Sequence, residues 1–166
     1  MIRKGDISDI DAILNITKSC AKHMINNDIH QWNEYYPDRG SFINDAENQE
    51  LYVYVINSKV VACISLCLHI DEVYLPVKWK TKNDNNLYIH RLAVHADFQQ
   101  KGIGKILMDF AEKYAKKKDC KSIRLDTFSL NKRNLKFYES RGYERLEEIY
   151  FPKQSEFPFY CYELII

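Results

Sequence analysis

LAVHADFQQKGIGK, at residues 92–105, joins the end of a predicted strand to the start of an amphipathic helix. Gly102 and Gly104 open that helix, and a backbone without Cβ atoms can approach a ligand closely. The first N–H groups of a helix carry partial positive charge and bind anions. Lys101 and Lys105 add full positive charges beside them. The stretch therefore predicts a site for a phosphate-like anion; the alternative is a tight loop whose glycines serve packing.

The positive charge of the chain is concentrated around this stretch. The formal net charge is +1, yet residues 99–136 hold eleven Lys and Arg against four Asp and Glu. That is a local surplus of seven, and the rest of the chain has a deficit of six. A solvated helix face would account for the lysines of 113–121, whereas a site for an anionic ligand would account for the whole segment.

Composition excludes several classes of protein. A chain of 166 residues, 46% of them hydrophobic, has the size of one domain, so we expect a single domain over 1–166. The near-neutral balance argues against a nucleic-acid partner, because phosphate binding needs a basic surplus. No apolar run approaches the ~18 residues of a membrane span, so no membrane association is expected. Five cysteines without a Cys-x-x-Cys pair predict reduced, mostly buried thiols, no metal and a cytoplasmic protein.

Hydrophobic patterning predicts an α/β fold, with a central mixed sheet and helices on both faces. The middle strand–helix–strand unit should be a right-handed parallel crossover. The predicted helices are Asp9–Met24, Ser41–Glu47, one beginning at Ile103, and Asn131–Arg141; the predicted strands are Ile2–Gly5, Leu51–Ile56, Val60–Ile70, Leu87–Val94, Ser122–Thr127, Tyr143–Tyr150 and Phe159–Ile166.

Two motifs resemble those of a known family. A P-loop pattern is absent, and a dinucleotide fingerprint fails because Leu107 stands where its third glycine should be. Gln99-x-x-Gly102-x-Gly104 instead resembles the Gln/Arg-x-x-Gly-x-Gly/Ala signature of the GNAT superfamily of N-acetyltransferases.

The second motif lies downstream. Asn131-x-x-Asn134-x-x-Phe137-Tyr138-Glu139-x-x-Gly142-Tyr143 is similar to that family's Asn-x-x-Ala-x-x-Phe-Tyr-x-x-x-Gly-Phe pattern. It departs from the pattern at Asn134 and Tyr143. The order of the elements also matches the family, so the resemblance covers essentially the whole chain.

The resemblance implies acetyl-CoA as co-substrate and a role for each motif residue. Two parallel strands, about 87–94 and 122–127, would splay apart to admit the pantetheine arm. Tyr138 would act as the general acid on the leaving thiolate; the alternative is an ordinary core aromatic. The cofactor-binding residues would be Leu92, Ala93 and Val94 toward pantetheine, Gln99, Gln100, Lys101, Gly102, Ile103, Gly104 and Lys105 toward the pyrophosphate, and Asn131 and Asn134 at the next helix start.

The general base is less evident from the sequence. Many members carry a Glu on the strand before the glycine loop, and the corresponding position here is Tyr88. His90 should share a strand face with Tyr88 and Leu92 by two-residue alternation, so it is the candidate base. A structural histidine is the alternative, with water or another carboxylate then accepting the proton.

The acceptor site is expected near the first helix, the loop after it and the C-terminal strands. Trp32 and Tyr36 are the candidate substrate-binding residues, and Glu34 and Asp38 would make the region acidic. An acidic, aromatic mouth suits a cationic amine. We therefore expect an N-acetyltransferase for a small-molecule primary amine, acting as a monomer or homodimer. The alternatives are a protein N-terminal or lysine acetyltransferase, and a non-catalytic acyl-CoA-binding module.

Overall fold

The computed structural model describes all 166 residues, Met1–Ile166, and contains seven strands and four α-helices. Every predicted strand and helix is present, with ends that differ by a few residues. The elements are β1 (Ile2–Lys4), α1 (Ile10–Asn26), α2 (Arg39–Glu47), β2 (Leu51–Ile56), β3 (Lys59–Cys67), β4 (Asn86–Val94), α3 (Ile103–Lys117), β5 (Ser122–Phe128), α4 (Lys132–Ser140), β6 (Glu144–Ile149) and β7 (Phe159–Ile165).

The strands form one mixed sheet in the order β1-β2-β3-β4-β5-β7-β6. The β1–β2, β2–β3, β5–β7 and β6–β7 pairs are antiparallel, whereas β4 and β5 are parallel and joined through α3. The predicted fold class and the parallel crossover are therefore confirmed.

The parallel ladder between β4 and β5 is short. It holds three pairs and ends at Tyr88↔Arg124, although β4 continues to Val94 and β5 to Phe128. Within β4, Arg91 has a left-handed φ of 51°, which is costly for a residue with a Cβ. The ending of the ladder agrees with the expectation that these two strands diverge.

The chain divides into two compact units, each made of two segments. The first consists of Met1–Leu66 and His90–Ala111. Its core is formed by one face of α1, by Phe42 of α2, and by inward-facing residues of β2 and β3, all nearly inaccessible to solvent. In α1 the buried residues Ile10, Ile13 and Ile16 follow the helical period, which explains why this segment was predictable.

The second unit consists of Cys67–Ile89 and Glu112–Ile166. Its sheet portion consists of the first residues of β4 and the β5–β7–β6 ladder, where seven pairs join β5 to β7. This unit buries apolar side chains such as Ile123 and Phe159, together with an ion pair of Arg124 with Glu163. All five cysteines are free thiols and buried, as predicted.

No helix in either unit combines the length and the apolar character needed to cross a bilayer. The single-domain interpretation stays a prediction.

Candidate active site

The loop before α3, in the first unit, leaves open space at both glycines. Gln100 and Gly102 have left-handed backbones, with φ of 62° and 79°, and α3 begins directly afterwards. A Cβ added at Gly102 or Gly104 would meet no atom within 4 Å. Packing against neighbours therefore does not require glycine at either position. This finding favours the anion site over the tight packing loop.

Gln99 fastens this loop to the end of β4. Its side-chain Nε2 donates to the carbonyl oxygen of Val94 at 3.0 Å, and the Cys20 thiol donates to the same oxygen at 3.0 Å. Burial raises the pKa of Cys20 to about 11, so it stays a neutral thiol donor. The Gln99 side chain thus shapes the loop, and any contact of residue 99 with a phosphate falls to its backbone.

Arg91 is held in its left-handed conformation by a buried ion pair. Its Nε and Nη2 donate to the two carboxylate oxygens of Asp45 at 2.7 and 2.6 Å, and Nη1 donates to the Tyr36 hydroxyl at 3.2 Å. Ser65 donates to Asp45 at 2.5 Å. Asp45 is 2% exposed, so this bidentate contact fixes Arg91, and with it the backbone just before Leu92.

In the second unit, the start of α4 uses the two predicted asparagines locally. The Asn131 side chain caps the helix by accepting from the Asn134 N–H at 3.2 Å. The Asn134 side chain donates to Thr127 Oγ1 at 3.2 Å and so ties α4 to β5. These contacts position Tyr138, and the predicted cofactor contacts of the two asparagines stay predictions.

Tyr138 lies on the buried side of α4, among aromatic rings. It is 7% exposed, and its ring centroid is 5.9 Å from that of Tyr143 and 6.1 Å from that of Tyr162. Burial raises the pKa of its phenol well above the ordinary value, and the charge of Asp126 raises it further. Tyr138 therefore stays protonated at every working pH and can act as a donor but not as a base.

Tyr88 belongs to a buried polar network of the second unit. Its hydroxyl accepts from Arg124 Nη1 at 2.9 Å, and Arg124 Nε donates to Glu163 at 2.7 Å. Arg124 and Glu163 are both inaccessible to solvent. Burial raises the pKa of Tyr88, so this residue is a structural partner of Arg124 and supplies no base.

Comparison with known proteins identifies the family. The family model for the acetyltransferase (GNAT) family matches residues 10–143. The chain belongs to the GNAT acetyltransferase family. This membership confirms what its two motifs indicated, although no curated protein sequence matches the chain.

Solved structures agree with this assignment. A Staphylococcus aureus Mu50 protein described as an acetyltransferase is 27% identical, with a TM-score of 0.76 over 99% of this chain and 98% of its own. A GNAT-family acetyltransferase from Streptococcus agalactiae is 23% identical, with a TM-score of 0.81 over 100% and 95%. The PaiA N-acetyltransferase from Thermoplasma acidophilum, solved with coenzyme A, is 19% identical, with a TM-score of 0.71 over 100% and 98%.

The histidine proposed as base in this GNAT chain lies just before the irregular point of β4. Nε2 of His90 is buried. The left-handed backbone of Arg91 lies between His90 and Leu92, the two residues whose side chains the alternation placed on one face. His90 as base stays a prediction.

The predicted acceptor residues of this GNAT chain are mostly occupied in packing. Trp32 is 8% exposed and lies in the core of the first unit, and Tyr36 packs against that core with its hydroxyl on Arg91. The loop carrying them is polar in sequence, and no periodicity there distinguishes a core aromatic from a ligand-binding one. Their role in substrate binding stays a prediction.

A carboxylate that sequence reasoning missed lies in the second unit. Asp126 is the only member of β5 that is not fully buried. The hydroxyl of Tyr74, itself completely buried, donates a short hydrogen bond to Asp126 Oδ2. No sequence motif connects residues that are 52 positions apart, so only the fold reveals this pair.

Proposed function

We propose that this GNAT protein transfers the acetyl group of acetyl-CoA to a primary amine of a small molecule, by direct attack in a ternary complex. The observation that carries the proposal is the open space at Gly102 and Gly104, at the start of a helix in a locally basic segment. When bound, acetyl-CoA supplies an activated acetyl thioester.

The loop residues 99–105 fit the pyrophosphate of this co-substrate. Backbone N–H groups at the first turn of α3 can donate to phosphate oxygens, because a helix leaves its first four N–H groups without intrahelical partners. Lys101 and Lys105 add charge, and Lys105 is 70% exposed, so it can turn toward an anion. The anchored Arg91 fixes the backbone of 92–94, whose N–H groups are proposed to stabilise the developing negative charge on the acetyl oxygen.

Tyr138 is proposed to act on the departing thiolate. Its pKa is raised by burial, which by itself makes it a weaker acid. Burial raises the pKa of a thiol as well, as it does for the buried Cys161 of this unit. Since both shifts have the same sign, the phenol still suits hydrogen bonding and protonation of a thiolate leaving from an apolar site.

A panel of amines tests the proposal. Purified protein is mixed with acetyl-CoA and each amine, release of the free CoA thiol is followed, and products are checked by mass spectrometry for added acetyl. The panel includes polyamines, arylalkylamines, amino sugars and peptides with free N-termini. Small amines should give amine-dependent thiol release and an acetylated product. Acetyl-CoA binding without thiol release for any amine would instead identify a binding module, and turnover of peptides alone would make the substrate a protein.

A further inference from the structure

We propose that Asp45 is a positioning residue for acetyl transfer and acts through Arg91. The Arg91 side chain, held by this carboxylate, keeps the backbone in the left-handed conformation that directs the N–H of Leu92 toward the acetyl oxygen. The inference rests on the proposed function, because it concerns how charge on that oxygen is stabilised. It extends the machinery of the reaction to α2, which carries neither of the two family motifs.

The backbone of Arg91 is unusual for its place in the chain. Arg91 has a φ of 51° inside β4, whereas the six other non-glycine residues with a left-handed φ all lie in turns. A residue with a Cβ disfavours this conformation by a factor of about 5 to 30, and glycine does not. The strand therefore needs a contact that holds Arg91 in it.

The guanidinium group of Arg91 receives that contact. Asp45 accepts from Nε at 2.7 Å and from Nη2 at 2.6 Å, and the Tyr36 hydroxyl accepts from Nη1 at 3.2 Å. All three guanidinium nitrogens thus donate to residues of the first unit. Ser65 of β3 holds the carboxylate in turn, by donating to Oδ2 at 2.5 Å. Asp45 and Ser65 are both buried, so the cluster is desolvated and strongly favours one arrangement.

The peptide group that follows Arg91 is held from β3. The Sγ of buried Cys63 donates to the Arg91 carbonyl oxygen at 3.6 Å, and burial raises the pKa of this thiol, so it keeps its proton. The peptide bond between Arg91 and Leu92 is trans, so its N–H points opposite to its C=O. The N–H of Leu92 therefore points away from Cys63, which belongs to the core of the first unit.

The carbonyl group of Val94 is held separately, at the other end of this segment. Its oxygen accepts from Cys20 and from Gln99, both at 3.0 Å. Residues 92–94 thus lie between two peptide groups that different contacts hold. Loss of the guanidinium contact would release one end of the segment and leave the end beside the glycine loop in place.

This arrangement predicts an effect on turnover and not on co-substrate affinity. The pyrophosphate is proposed to bind at residues 99–105, beyond the held carbonyl of Val94. The N–H of Leu92 is proposed to act on charge that develops only during the attack. An interaction made only in the transition state changes kcat and leaves KM unchanged. A purely structural ion pair would instead change stability alone.

Arg91→Lys tests whether the guanidinium fork matters for turnover. It keeps a positive charge for Asp45 but replaces the fork that binds both carboxylate oxygens with one ammonium group. With an amine that wild-type protein acetylates, kcat should fall by about 5- to 30-fold, the factor by which the left-handed conformation is disfavoured. The KM for acetyl-CoA should stay close to the wild-type value.

Two double variants separate the backbone conformation from stability. Each combines Asp45→Asn, which removes the buried charge, with either Arg91→Gly or Arg91→Ala. Neither has the ion pair, but only glycine adopts a φ of 51° without strain. The glycine double variant should therefore have a kcat about 5- to 30-fold above that of the alanine one. A purely structural role predicts the opposite order or no difference, because glycine weakens a strand more than alanine does.

Asp9→Asn provides the comparison with an ion pair that holds no left-handed residue. Arg3 donates to both carboxylate oxygens of Asp9, at 2.8 and 2.9 Å, in the same unit, and neither residue has a left-handed backbone. This variant should lower the free energy of unfolding in urea and leave kcat unchanged.

A wild-type kcat in Arg91→Lys, or a change in its KM for acetyl-CoA alone, would overturn the inference. So would equal or reversed kcat values for the two double variants, or a loss of kcat in Asp9→Asn as large as that in Arg91→Lys. If the double variants do not fold, Arg91→Lys decides alone, since it keeps the charge balance of the buried pair. Wild-type protein that binds acetyl-CoA but acetylates no amine would instead refute the proposed function itself.

Discussion

Gly104→Ala should stabilise the protein and weaken acetyl-CoA binding at the same time. Gly104 lies in the first turn of α3, and the added Cβ would meet no atom within 4 Å. Alanine is favoured over glycine in helices by about 0.5–1 kcal/mol. For a domain of this size that corresponds to a rise in Tm of about 1–4 °C. The added methyl group would occupy the space proposed for a phosphate oxygen.

The expected loss of affinity follows from the hydrogen bonds displaced. One charge-assisted bond contributes about 1.5–3 kcal/mol, which corresponds to about a 10- to 150-fold weaker Kd. Calorimetric titration with acetyl-CoA measures Kd, and differential scanning calorimetry measures Tm. A stabilised variant that binds acetyl-CoA with wild-type affinity would refute the assignment of this loop to the co-substrate.

Gly40→Ala is the matched control. Gly40 lies in the first turn of α2, in the same unit, and its added Cβ would meet only Asp38 Oδ1 at an ordinary 3.7 Å. It should raise Tm by a similar amount without changing the affinity for acetyl-CoA. Gly102→Ala differs from both, because a φ of 79° makes any side chain there a source of strain.

Two other variants test the acid and the anchor of β4. Tyr138→Phe should lower kcat by about ten- to a thousand-fold with little change in the KM for acetyl-CoA; wild-type turnover across pH 6–9 would leave Tyr138 a packing residue. Asp45→Asn should lower the free energy of unfolding by about 3–5 kcal/mol in urea denaturation, because it leaves buried Arg91 without its counter-charge. Asp11→Asn, which breaks an exposed pair with Arg39, should cost less than about 1 kcal/mol, and equal losses would show that the buried pair has no special weight.

Local sequence signals were sufficient to predict the helices, the strands and the glycine loop. The apolar residues of α1 and α3 recur at the helical period, and β2 is rich in β-branched and aromatic residues, so each segment favours one structure by itself. The loop at 99–105 is equally local, since its glycines and lysines are contiguous with the helix that they open.

The shape of β4 could not be predicted from local signals. A left-handed arginine is unfavourable by itself, and the contact that holds the Arg91 side chain comes from Asp45, 46 positions away, which accepts from Nε and Nη2. Strand periodicity carries no information about a contact of this kind.

The pairing of buried polar groups could not be predicted from local sequence signals either. In the sequence, Asp126 is a single acidic residue in an apolar strand and Tyr74 is a single aromatic residue in a polar stretch. Only the fold shows that the two are hydrogen-bonded. Trp32 shows the converse, because an aromatic residue in a loop can equally fill a core or a binding site, and this one fills a core. In each case the deciding partner is distant in sequence.

The binding of acetyl-CoA at the glycine loop is tested most directly by NMR. A protein of 19.7 kDa labelled with nitrogen-15 can be titrated with acetyl-CoA while every assigned backbone amide is followed. The account predicts saturable binding with the largest shift changes at the amides of 99–105, followed by those of 92–94. Saturable binding that leaves these amides unchanged and shifts another region, or no binding at millimolar acetyl-CoA, would contradict it.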